Sequence, residues 1–487
     1  MSLDTRYLEH DFDEETLGFQ EPAPSKSNVQ KPVLHRLGQA LVLLGLVASA
    51  VLTLRPHFAA ADSAPWSDWP HFLTSYGALF VGGLLLVYAR YAGATPGIRN
   101  DNQVFGALTY RGFAGWMLGV LLTGIYVGLY FESEIKDAFG LRAYPLAGLI
   151  DAGNPVARLM GVGDQGKYYF LYSMLYTLSV IVFAVRMVFR YQHNRYQLLR
   201  TGSVTFFQLG IAFLLPQLLA ASEKPEFYFS YFWPLSWEAM FPSKLSDLGS
   251  QGTLGQFMVG WSFAAAFLAV PILTYYFGKR WYCSWVCGCG GLAETMGDPF
   301  RQLSDKSTKA WKFERVSIYS VLVAIVLLTI SMAVFPGAFS LEFKKIYFFL
   351  IMQMFAGVIG TGFYPLLGNR AWCRFGCPQA AILGILQRYF SRFRITTNGG
   401  QCMSCGNCST YCEMGIDVRA YAQAGENVVR ASCVGCGICS AVCPRGVLKL
   451  ENGSTSKDRY DGAATPVDQL LKDLKEPPRP VGSNVDR

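Results

Sequence analysis

Residues 402–412 read CMSCGNCSTYC and residues 433–444 read CVGCGICSAVCP. Each run spaces four cysteines by two, two and three residues: Cys402, Cys405, Cys408 and Cys412, then Cys433, Cys436, Cys439 and Cys443. A loop wound at this spacing carries three thiolates to three corners of one cubane. The fourth cysteine starts a helix and turns to the cubane of the other run. The expected ligand sets are Cys402, Cys405, Cys408 and Cys443 for one [4Fe-4S] cluster, and Cys433, Cys436, Cys439 and Cys412 for the second. Gly406 and Gly437 allow the tight backbone such loops need. Paired C-x2-C motifs also bind zinc, but two complete four-cysteine runs favour clusters. Glu413 stands where the first run would usually carry proline; it removes no ligand and is expected to alter turn geometry or potential.

Outward from these runs, the spacing is that of a bacterial two-cluster ferredoxin module over 399–452. None of the 13 cysteines precedes Cys283, which excludes a secreted disulfide scaffold. Thiolate ligands call for a reducing compartment. The rest of the chain is apolar: of 487 residues, 52% are hydrophobic and 16% charged, against about 25% charged in a soluble domain. That excludes a disordered chain, a coiled coil and an ordinary soluble enzyme. A spanning helix needs about 20 apolar residues. Eight stretches qualify, near 37–54, 72–89, 112–131, 169–189, 203–221, 255–277, 316–335 and 346–366. The expected fold is a polytopic α-helical membrane protein of about eight spans with a cytoplasmic two-[4Fe-4S] ferredoxin-like α+β module. The expected divisions are a disordered tail (1–35), membrane helices (36–222), membrane helices with two further cysteine motifs (223–398), the module (399–452) and a flexible tail (453–487).

The net charge of +8 reads as positive-inside bias rather than nucleic-acid binding. Lys and Arg gather in the stretches 90–111, 186–200, 279–315 and 370–394, which places both termini and every cysteine on the cytoplasmic side. Arg186, the most interior charge, is expected to snorkel to the interface. No acidic residue lies near a span centre, which disfavours proton pumping. The aromatic stretch 227–237 is expected to lie as a belt in the membrane interface, in preference to forming a docking surface or a lid. The five histidines are poorly placed for a membrane haem, and there is no nucleotide-binding fingerprint.

Two further motifs follow membrane spans. Residues 278–288 read GKRWYCSWVCG and residues 368–378 read GNRAWCRFGCP. Glycine, arginine and both cysteines align without gaps, a weak internal repeat. On a helix, positions i and i+4 share a face, so Cys283, Cys287, Cys373 and Cys377 could converge into one four-thiolate site. Such soft ligands suit a third iron–sulfur cluster, Cu(I) or zinc, and a redox dithiol is another reading. Cys289 breaks the repeat as a spare or alternative ligand.

C-x3-C-P motifs after membrane helices, followed by a two-cluster module, resemble the membrane polyferredoxins NapH, NosR and CcoG over roughly 255–450. Gly288 departs from the family's proline at the first motif. No flavin domain of the NosR kind and no immunoglobulin-like domain of the CcoG kind is seen. The resemblance implies electron transfer in the bacterial cytoplasmic membrane between a cytoplasmic or quinol donor and a respiratory partner protein, with quinone as a further cofactor. It also implies an alternative, a copper reductase or metalloenzyme-maturation factor. A third expectation, from the spans alone, is a transporter with a redox-sensing module. Whether the chain is itself an enzyme or an electron-transfer component of one stays open.

Overall fold

A computed structural model describes residues 31–58, 69–94, 96–97, 112–161 and 167–453. Both expected tails fall almost wholly outside these residues. The eight expected spans are present: α1 (Pro32–His57), α2 (Trp69–Tyr91), α3 (Phe113–Tyr130), α4 (Phe170–Tyr191), α5 (Arg195–Ala221), α6 (Gly252–Phe277), α7 (Thr308–Val334) and α8 (Ala338–Gly362). The protein is a multi-pass membrane protein. Helices apolar on every face fit a hydrocarbon surround. Polar residues fix where they start: the Asn194 side chain accepts from the Gln197 N–H at 3.3 Å to cap α5, and Ser307 accepts from Ala310 to cap α7.

Four spans carry proline, in α1 and α2 only within two residues of an end, in α5 and α6 a turn or more inside. Pro216 and Pro271 cannot donate to the carbonyls four residues earlier. In both, the helix widens to π geometry just upstream, over Phe207–Leu214 in α5 and Ala265–Ala269 in α6. Small residues let the spans approach closely. A methyl on Gly82 in α2 would lie 2.9 Å from the Val42 amide nitrogen of α1. A methyl on Gly357 in α8 would strike the Tyr130 ring of α3 at 2.6 Å.

The aromatic stretch 227–237 departs from the expected interfacial belt. It folds back among the spans. Phe232 and Leu235 are buried in the same core as Tyr282, Cys283, Cys287 and Cys377. The Tyr282 hydroxyl donates to the Ser230 carbonyl at 2.9 Å, and Trp261 of α6 donates to the Phe229 carbonyl. Irregular backbone is tolerated at membrane depth only when it is buried in protein with its backbone polar groups satisfied, and these bonds satisfy two of its carbonyls.

After α8 the chain makes one amphipathic helix, α9 (Pro378–Phe390), which buries Ala380, Ala381, Leu383 and Gln387 and leaves Tyr389 and Phe390 exposed. It then enters the cysteine-rich module. The module's one sheet pairs β1 (Phe393–Thr396) antiparallel with β2 (Lys449–Asn452), in register from Phe393↔Asn452 to Thr396↔Lys449. The sheet draws residues from before position 399 into the module. It also closes the loop of chain that carries both four-cysteine runs.

Candidate metal centres

The two runs have matching backbones. Gly406 and Gly437, each just after the second cysteine, adopt left-handed φ of +79° and +77°, and Ser404 and Gly435 before it are also at positive φ. These residues bend each loop round a hollow. Short helices Asn407–Thr410 and Ile438–Ala441 then start at the two glycines. One cavity of about 370 Å³ is lined by Cys402, Cys405, Cys408 and Cys443. A second of about 370 Å³ is lined by Cys412, Cys433, Cys436 and Cys439. In each, the fourth cysteine comes from the opposite run.

The donor chemistry fits a cationic cluster. Burial pushes the thiols of Cys408 and Cys433 up to about 11, and those of Cys436 and Cys439 well above their ordinary value. A thiolate in such surroundings needs a metal's positive charge to form. The two sites differ in depth. Cys405 is exposed, whereas Cys433 and Cys439 are buried. The second site rests on α5, where the Tyr196 hydroxyl donates to the Gly435 carbonyl at 2.8 Å and Gln197 donates to the Cys436 carbonyl at 2.9 Å.

The C-x3-C cysteines come together, by a route other than a shared helix face. Cys283 ends a short turn, Arg280–Cys283, and Cys287 is the extended residue that opens the helix Gly288–Glu294. Cys373 sits in Ala371–Phe375, and Cys377 opens α9, its sulfur accepting from the Ala380 N–H. A break in the backbone between the paired cysteines thus replaces the expected i, i+4 geometry. The two halves repeat bond for bond. The amides of Val286 and Cys287 both donate to the Tyr282 carbonyl; those of Gly376 and Cys377 both donate to Trp372. Gly278 and Gly368 precede them at φ +68° and +88°. All four thiols are buried and lie close enough to interact electrostatically, Cys377 with Cys373, Cys287 and Cys283.

Burial pushes the Cys283 thiol up to about 12. Cys287 moves the other way, below its ordinary value, because the Cys289 thiol and two backbone amides donate to it. Cys289 therefore sits beside the set, hydrogen-bonded to one member. The departure at Gly288 has a steric cause. A Cβ there would lie 1.9 Å from the Tyr231 hydroxyl, so the folded-back aromatic stretch occupies the place of a proline ring.

Between the second and third cysteine sets lies a buried charge network that sequence reading missed. Glu294 accepts from Arg200 at 2.5 Å, Arg370 at 2.6 Å and Arg301 at 3.1 Å. Glu413 accepts from Arg301 at 3.0 Å and Arg370 at 3.2 Å. Asp298 accepts from Arg186 at 2.7 Å, Arg190 at 3.0 Å and Arg301 at 3.2 Å. Arg186 is thus paired inside the protein, where snorkelling was expected. Burial opposes ionisation of Glu413, but the Arg301 and Arg370 guanidinia outweigh it and hold the carboxyl well below its usual range. Two arginines reach sulfur: Arg301 donates to Cys436 Sγ at 3.7 Å, and Arg370 to Cys373 Sγ at 3.6 Å. Glu294, Glu413 and Cys436 lie close enough to share an ion, yet these guanidinium groups already take up the carboxylates. The one signal available in sequence was Glu413 in the proline position.

Comparison with known proteins matches the same regions. Residues 259–307 and 349–397, which carry the two C-x3-C motifs, match a 4Fe-4S binding domain. Residues 401–448 match a 4Fe-4S dicluster domain. Among curated proteins, YccM of Escherichia coli, provisionally described as an electron transport protein, is 28% identical over 31% of this chain and 45% of its own. The methylamine utilization ferredoxin-type protein MauN of Methylobacillus flagellatus is 29% identical over 28% of this chain and 50% of its own. The chain spans about half the length of these two relatives. No solved structure gives a significant match. These findings fit a membrane polyferredoxin-like family with [4Fe-4S] clusters as cofactors.

Proposed function

We propose, from its place in a membrane polyferredoxin-like family, that this chain carries electrons between a redox protein at the module's outer surface and a partner at the membrane. The observation that carries the reading is the pair of cavities, each walled by four cysteines from two crossed runs. Each [4Fe-4S] cluster, when bound, takes up and releases one electron. Cys402, Cys405, Cys408 and Cys443 would hold the first, and Cys412, Cys433, Cys436 and Cys439 the second. Cys283, Cys287, Cys373 and Cys377 would hold a third; the domain match over 259–307 and 349–397 supports iron–sulfur there over copper or a bare dithiol.

The chain's residues grade these sets by depth. Exposed Cys405 marks the end a partner protein can approach. Arg301 and Arg370 orient Cys436 and Cys373 through N–H···S contacts, and Glu413 and Glu294 hold both guanidinia in one frame. Tyr282 and the folded-back stretch seal the third set from lipid. The distribution of Lys and Arg supports a module on the cytoplasmic side.

The test is iron and acid-labile sulfide in anaerobically purified full-length protein, with EPR after reduction. About twelve irons per chain are expected, falling to about eight in a Cys283→Ser/Cys373→Ser variant. About eight in the wild type would remove the third cluster. Zinc without iron would overturn the electron-carrier reading.

A further inference from the structure

A cavity opens where the module meets the membrane helices, away from the two cysteine-walled hollows of the module, and its inner wall reaches Cys373 of the third set. Its cationic residues come from separate elements: Lys279 after α6, Arg315 on α7, Arg374 in Ala371–Phe375, Arg388 on α9 and Arg430 on the module. Its one acidic residue, Glu314, is taken up by Arg374 at 2.7 Å. Among the described residues Arg315, Arg388 and Arg430 make no ion pair. Trp311 organises two of them, with the Arg430 guanidinium 4.6 Å and the Arg315 guanidinium 5.5 Å from its ring. Lys279 is buried, gives its Nζ to the Ala431 carbonyl at 3.2 Å, and lies near enough to the Cys283 and Cys373 thiols to favour their charged form, so its counter-charge is the third cysteine set. Arg315, Arg388 and Arg430 thus bring three positive charges without a carboxylate partner to one rim, where an anion between them would be attracted by all three.

The surroundings say which anion. Phe313 and Val316 on α7 and Tyr389 and Phe390 on α9 are all at least 60% exposed. They flank Arg315 and Arg388 in sequence, at the module end of a membrane span. A free phosphate would have no use for this apolar surface, but acyl chains would. Trp311, 37% exposed, is an aromatic of the kind enriched at the headgroup level.

We propose that this cavity seats the phosphate headgroup of an anionic phospholipid. The headgroup bridges Arg315 of α7 and Arg388 of the amphipathic α9 to Arg430 of the module. Because Arg430 precedes Ala431 and Ser432, which line the same cavity wall, the lipid acts as a clamp that holds the module's second run against the spans.

The experiment is native mass spectrometry of the full-length, iron-loaded protein in detergent, titrated with phosphatidylglycerol or phosphatidylcholine. A Arg315→Gln/Arg388→Gln/Arg430→Gln variant is compared with a single Arg430→Gln variant, with iron content as the check on folding. One phosphatidylglycerol should be retained in preference to phosphatidylcholine. The triple variant should bind it at least roughly tenfold more weakly, each basic side chain at an anionic surface contributing, and the single variant should show part of that loss. Equal retention of the two lipids, or equal retention by the wild type and Arg430→Gln, overturns the proposal. Displacement of phosphatidylglycerol by millimolar inorganic phosphate alone would assign the cavity to a free anion and also overturn it. Hydrogen exchange over residues 429–432 should quicken in phosphatidylcholine discs relative to phosphatidylglycerol discs; unchanged exchange counts against the clamp.

Discussion

Removing the Glu413 carboxylate would leave Arg301 and Arg370 buried with only part of their counter-charge. Breaking a buried pair from one side typically costs about 3–5 kcal/mol, so Glu413→Ala is expected to destabilise the folded protein by that order, read from the denaturant midpoint in detergent. Glu413→Gln keeps the shape and removes one negative charge near Cys436. It should raise the midpoint potential of the cluster on Cys412, Cys433, Cys436 and Cys439, because a reduced cluster is the more negative state; an unchanged or lowered potential in an EPR titration contradicts this. The oddity of Glu413 is visible in sequence, but its meaning is not. Its partners come from positions 301 and 370, and Glu294 adds Arg200 of α5. No local period links residues so far apart, and a charge tally by loops places Arg186 and Arg200 at an interface because it cannot see Asp298 or Glu294 folding towards them. The cysteine sets were legible for the opposite reason: each run fixes three of its ligands within seven residues.

At the scale of elements, the spans are read from length and apolarity alone, and the boundaries hold to within about a turn and a half except at the starts of α5, α7 and α8, each about two turns earlier than expected because a polar first turn extends the helix, capped by a side chain in α5 and α7. The stretch 227–237 resists such reading, since an aromatic run suits a membrane interface as well as a protein interior. What decides is its match to Gly288, the residue that departs from the family's proline. The hydroxyl of Tyr231 fills the space of a Cβ at 288, with the Gln208 Oε1 at 3.0 Å and the Tyr231 Cζ at 3.1 Å from that point. Gly288→Ala should therefore destabilise by about 1–3 kcal/mol, as overpacking does. Tyr231→Phe removes the clashing oxygen and should recover much of that loss in the double variant. A double-mutant cycle reads the coupling. Additive effects would mean that Tyr231 does not pack on Gly288.

For the whole molecule, the balance between the membrane helices and the module decides what happens when the metal leaves. The spans have cores of their own, such as Leu52, Tyr76, Phe170 and Leu171, which contain no cysteine. The module has one sheet of two strands, and its Met414, Ile416, Val434 and Val447 belong with Cys408, Cys433 and Cys439 to a core continuous with Phe232, Tyr282 and Trp372 of the membrane part. Without clusters its two cavities would have to stay open among buried thiols or collapse. So small a sheet cannot hold them open, and metal binding and folding are then one event. Chelation under oxidising conditions is expected to leave the helical content of the spans nearly unchanged while 399–452 becomes open to protease. Cleavage should appear first near exposed Cys405 and last near Gly435 and Cys436, which Tyr196, Gln197 and Arg200 tie to α5. Mass mapping of a time course checks the order. Simultaneous cleavage through the module would show that the ties to α5 hold nothing once iron is gone, and protease resistance throughout would show that the module folds without its clusters.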